Sequence, residues 1–167
     1  MKQLSVLTAT VLFSLSVVCV THAKPANKQE ALLIELTGKD VTKGNDIDLY
    51  AEIVSAYESD NEILLKSRAQ SFMSRFSRSQ YADNVLFLMG RRAADHNNYP
   101  EAIKYFSKIE KEYPRSNKYV QARFAKAMTY KKMNLPQFST KILSEVRTKY
   151  AGSPESFRAD SELKMIK

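Results

Sequence analysis

The sequence predicts an all-α fold of stacked helix hairpins, and three observations predict it. From Ile47 onward apolar residues recur at helical spacing, and no segment alternates strictly enough to read as a strand. A period of 37 residues runs through the same region: Phe76, Tyr113 and Tyr150 fall on one another, as do Ser79, Ser116 and Ser153. Midway between those stops stand helix breakers, at Glu58-Ser59-Asp60, His96-Asn97-Asn98 and Asn134-Leu135-Pro136. Each period therefore holds two antiparallel helices, and a repeat of roughly 20 to 50 residues built this way signals a stacked array. One hairpin buries too little apolar surface alone, whereas a row of them makes a continuous core and leaves a curved face for ligands.

Taken in order, residues 1–23 have a basic start at Lys2, an apolar stretch from Leu4 to Val20 and a small-residue exit at Thr21-His22-Ala23. That pattern predicts a secretory signal peptide and an exported protein, and it is short for a membrane-spanning helix. Cys19, the one cysteine, lies inside it. Ser16 and Val18 before Cys19 disfavour a lipid-attachment signal, and cleavage after Ala23 leaves a chain without thiol chemistry. Residues 24–46 hold one short apolar run, Ala31 to Leu36, and are expected to form a flexible tether.

The repeat domain is expected over residues 47–167. The helices are predicted as 47–57 with 61–75, 82–95 with 99–112, 117–132 with 136–149, and a closing helix over 154–165. Pro100 and Pro136 sit where a second helix starts, a place that tolerates a missing amide proton. Pro114 sits just past a helix end, where it blocks continuation. Asp60, Ser116 and Ser153 are expected to cap the helices that follow them.

The middle unit resembles a tetratricopeptide repeat. Counting from Asp83, large residues stand at Leu86 and Met89, small ones at Gly90 and Ala102, an aromatic at Phe106 and a proline at Pro114, all as in that family. Ala93 and Ile109 replace a usual Tyr and a usual small residue. The third unit fits more loosely, with Arg123 and Ala151 off the pattern, and the first keeps mainly its period with Phe72, Phe76 and Ser79. A 37-residue unit closed by Tyr-Pro-x-Ser behind a signal peptide is similar to the repeats of bacterial envelope tetratricopeptide proteins of the BamD and YbgF/CpoB type. The resemblance implies a right-handed helical solenoid of about three hairpins plus a C-terminal capping helix. It also implies a place in the periplasm of a Gram-negative bacterium, with possible outer-membrane association.

Composition narrows the function. Hydrophobic residues make up 44% and charged ones 26%, with 4 Gly and 5 Pro, as in an ordinary folded helical protein. Removing residues 1–23 takes only Lys2 from the 26 basic residues, leaving 25 against 18 acidic ones, a balance of +7. In an exported chain such a charge favours acidic protein surfaces or anionic polymers over nucleic acid. No Gly-rich phosphate loop or metal-ligand histidine pair is present, and His96 falls in a polar turn. Neither catalysis nor a cofactor nor a metal is expected.

Binding is expected on the first helix of each pair, which lines the concave face in the tetratricopeptide family. The positions carried over are Asn84, Phe87, Arg91 and Asp95 in the middle unit and Gln121, Phe124, Met128, Lys131 and Lys132 in the third. Independently, Tyr50, Phe87 and Phe124 are spaced by 37 and predict an aromatic ladder, flanked by Arg91, Arg92, Lys131 and Lys132. An apolar ladder edged with cations suits a peptide with apolar anchors and acidic side chains. For the same rings, Phe87 above all, interhelical packing is the competing expectation. Two other functions remain open: a structural subunit assembling through repeat ends or convex face, and a binder of peptidoglycan or another anionic polymer.

Overall fold

The computed structural model of the chain describes residues 45–166. The expected signal peptide and nearly all of the expected tether, with Cys19, lie outside the described residues. Within them the chain is all-helical: α1 Asp46–Glu58, α2 Glu62–Arg75, α3 Ala82–Asp95, α4 Tyr99–Glu112, α5 Tyr119–Lys132, α6 Pro136–Lys149 and α7 Pro154–Met165. Each bound falls within two residues of the sequence expectation.

The breakers act through a repeated turn. Asp60, Asn97 and Asn134, spaced by 37, take positive φ of 57°, 58° and 58°. The amide after each bonds back into the first helix, Asn61 to Ala56, Asn98 to Ala93 and Leu135 to Tyr130, which closes a Schellman motif. Asp and Asn tolerate the left-handed conformation better than other non-glycine residues. Asp60 is thus the turn residue and not the cap: Asn61 caps α2 by accepting from the Leu64 amide at 3.0 Å. Ser153 caps α7 as expected, accepting from the Ser156 amide at 3.2 Å; Ser116 does not cap α5, whose N-cap position is Lys118, but accepts from the Lys118 amide at 2.8 Å in the turn before it.

Between hairpins the period serves a second device. Ser79 donates to Asp46 at 2.7 Å, and Ser116 donates to Asp83, so the serine after each hairpin ties back to the start of that hairpin's first helix. In the third unit the acid's place is taken by Val120, and Ser153 keeps only its capping role.

Packing runs in series. Each helix contacts the next, and alternate helices meet as α1 with α3, α3 with α5 and α5 with α7; no contact among the described residues joins α1 to α7. The row therefore stays open. The central hairpin is the tightest place: a Cβ on Gly90 would lie 2.5 Å from the Phe106 ring, so only glycine lets α3 and α4 approach this closely. Both end helices carry charges at registers that are apolar or small in α3, although Ile47 of α1 and Phe157 and Met165 of α7 are exposed. Asp48 and Glu52 of α1 stand where α3 has Val85 and Met89. Asp160 and Lys164 of α7 stand where α3 has Leu86 and Gly90, and they pair with each other at 2.7 Å. No helix among the described residues is long and apolar enough to cross a membrane.

Candidate functional site

Because α3, α5 and α7 occupy the same place in successive periods, residues at one register of each line a single surface. A cavity of ≈ 570 Å³ opens there. Its size falls within the range of roughly 300–1,000 Å³ typical of ligand sites. Of the residues expected in the groove, the structure brings together Phe87, Arg91, Gln121, Phe124, Met128 and Lys132, with Asp95 beside them.

The two rings differ in exposure. Phe87 is half-buried, tilted against Phe106 with centroids 5.9 Å apart, and the Lys118 ammonium lies 5.6 Å over it. Phe124 is 5% exposed and belongs to the core shared with Ala127, Leu143, Val146 and Ala159. Its face toward the cavity carries the Arg158 guanidinium, 4.4 Å from the ring centroid. The rings therefore offer less bare apolar surface than a ladder of three aromatics implies.

Three expected residues stand apart from the cavity. Tyr50 stacks on Tyr81 with centroids 4.7 Å apart and planes 10° off parallel, so it packs α1 against the start of α3. Burial above all, with the nearby Asp83 carboxylate adding to it, pushes the Tyr50 hydroxyl pKa up. Asn84 is half-buried at the start of α3, its amide donating to Asp83 at 2.7 Å. Lys131 is spent on Glu162 of α7 at 2.6 Å, a tie that holds the closing helix in place. Arg92, expected as a flanking cation, reaches instead to Asp60 and the Tyr57 carbonyl of the preceding hairpin. For Tyr50, Lys131 and Arg92 the physical reason is shared: a partner from a neighbouring hairpin or helix lies within reach, and an intramolecular partner needs no further ordering.

Sequence reasoning missed the contribution of α7. Glu155 and Arg158 line the cavity, although no residue of the closing helix was expected in the groove. The signal was present: Asn84, Gln121 and Arg158 are spaced by 37, which places α7 in the register of a fourth first helix. Arg91 and Lys132, both exposed, line the same cavity as Arg158. The lining is thus amphipathic, combining the small residues Ala94, Ala125 and Thr129 with charges of both signs.

His96 occupies the turn between α3 and α4, with Nδ1 3.4 Å from Glu62 and Nε2 3.8 Å from Asp60. It joins the turns of the first two hairpins and stands outside the cavity. No protein-family model matches the chain, and no curated protein matches it either.

Proposed function

We propose that this chain is a non-catalytic, exported helical-repeat protein of the bacterial cell envelope. Its hairpins would form a right-handed solenoid of tetratricopeptide type, and the groove on α3, α5 and α7 would receive a segment of a partner protein. The observation that carries this reading is the cavity itself, walled by equivalent positions of successive first helices. The repeated turns and the open row of alternate-helix contacts support the solenoid. Outer-membrane assembly and Tol-Pal coordination are the settings that the family resemblance brings with it.

The mechanism is presentation of a held surface. Apolar cores between successive helices keep the groove in place, so binding costs the protein little ordering and the partner segment bears most of it. A photo-crosslinking residue at Gln121 is expected to form an envelope adduct, and one at the exposed Lys141 of α6 is not. Equal adducts from both, or none from Gln121, contradict the groove.

One observation favours a second reading. Lys104, Lys108 and Lys111 recur along α4 at helical spacing with Arg115 just beyond, outside the cavity, and of these Lys108 lies 3.9 Å from Glu112. A basic stripe of this kind suits an anionic polymer. Co-sedimentation with purified peptidoglycan that is lost in moderate salt, and lost when the three lysines become glutamine, would favour it.

A further inference from the structure

We propose that Arg158, on the closing helix, is the selector of the groove: it binds a carboxylate side chain of the incoming segment and, while lying on Phe124, keeps apolar side chains off that ring. The proposal rests on the groove reading above. Its first support is geometric. A guanidinium 4.4 Å from a ring centroid covers the ring, yet its N–H donors point outward in its own plane and stay available to a planar acceptor.

The second support is the pattern of ion pairs at this end of the molecule. Lys131 holds Glu162, Arg147 reaches Asp160 at 3.5 Å, and Lys164 holds Asp160 at 2.7 Å. Arg158 stands among them exposed, and has no carboxylate partner among the described residues. Arg91 and Lys132, which line the same cavity, have none either, although the Arg91 guanidinium also lies 6.0 Å from the Tyr57 ring. Three cations therefore face one space, against two carboxylates, Asp95 and Glu155.

Charge complementarity commits the occupant to a protein segment that presents Asp or Glu side chains. Fork-shaped pairing of guanidinium with carboxylate is the strong contact available here. An apolar occupant meets a Phe124 that is already 95% buried and roofed by a cation. Its side chains would first have to displace Arg158.

The test uses the purified full chain and three fluorescent dodecapeptides of one Gly/Ser background, carrying glutamate, lysine or leucine at alternate positions. The glutamate peptide is expected to bind best, and Arg158→Ala to weaken it about tenfold, as for loss of a charge-assisted hydrogen bond. The same variant is expected to leave the leucine peptide unchanged or improve it, since Phe124 is uncovered. Arg158→Lys keeps the charge without the fork and should fall between. Circular dichroism melting confirms that the variants fold, as expected for an exposed side chain.

Failure of the glutamate peptide to bind the wild-type chain overturns the proposal, and so does equal binding by Arg158→Ala. Inorganic polyphosphate that displaces the glutamate peptide and binds more tightly would make the occupant an anionic polymer, which also overturns it. A photo-crosslinker at Gln121 separates this failure from that of the groove. Capture of the leucine peptide alone leaves the groove standing and removes the selector, whereas capture of no peptide removes both.

Discussion

The hairpin of α3 and α4 and the junction of α4 with α5 and α6 solve the same packing problem with opposite chemistry. In the hairpin, Leu86, Ala102, Phe106 and Ile109 are all buried, with Met89 and Gly90 beside them. One period later the places of Leu86 and Met89 are taken by Arg123 and Lys126. They are held by Glu110 of α4 and Glu145 of α6: Lys126 lies 2.8 Å and Arg123 3.6 Å from Glu110, and Arg123 also pairs with Glu145. Burial works to lower the Arg123 pKa, but the Glu110 carboxylate and its neighbours outweigh it and hold the value above the ordinary one.

The difference teaches that the period prescribes where helices meet and not what they meet with. Apolar contacts contribute stability outright, whereas a half-buried ion cluster offsets its own desolvation and little more. Glu110 Oε1 and Arg123 Nε have no hydrogen-bond partner, so this cluster is incompletely satisfied. The junction is thus the weaker of these two packings, and it adjoins the groove.

The comparison can be broken from either side. Phe106→Ala removes the ring against which Gly90 and Phe87 pack, and is expected to cost about 3–5 kcal/mol in denaturant unfolding. Glu110→Ala leaves Lys126 without its carboxylate and Arg123 with Glu145 alone, and is expected to cost about 3 kcal/mol. Replacing Glu110, Arg123 and Lys126 together by Leu, Leu and Met should recover most of that loss, because Glu145, which then loses Arg123, still has Lys149 at 3.9 Å. If the triple variant is as unstable as Glu110→Ala alone, the junction is more than a compensated charge cluster.

A smaller effect sharpens the central hairpin. Gly90→Ala forces a methyl group toward Phe106 and is expected to cost about 1–3 kcal/mol. Smallest is an alkaline effect on Tyr105, whose pKa is pushed up to about 12 by burial and then by Glu101, to which its hydroxyl donates at 3.3 Å. Its folded value lies above the unfolded one, so the contribution is whole below pH of about 10. It fades as pH climbs from there to about 12, because the unfolded chain gives up the proton first. Tyr105→Phe should flatten that part of the stability profile.

The helices were legible because breakers and aromatics repeat with one period, and a local signal suffices to end a helix. The exchange of roles between Asp60 and Asn61 was not legible, since both residue types cap helices and both enter left-handed turns. Within the site, Phe87 was readable from the 37-residue register, and Arg91 and Lys132 from the family resemblance. Lys131 was not, because its engagement with Glu162 depends on where α7 comes to rest. Phe124 and Tyr50 share the register of Phe87, yet burial and stacking partners from neighbouring helices separate the three. Arg158 stayed hidden because a helix after the last full period reads as a cap.

Chemical-shift mapping of the full chain with the glutamate peptide tests the central claim most directly. The account predicts perturbations clustered on Arg91, Gln121, Lys132 and Arg158, with Lys104, Lys108 and Lys111 of α4 unaffected. Perturbations centred on those three lysines, or scattered over both faces of the row, would contradict it.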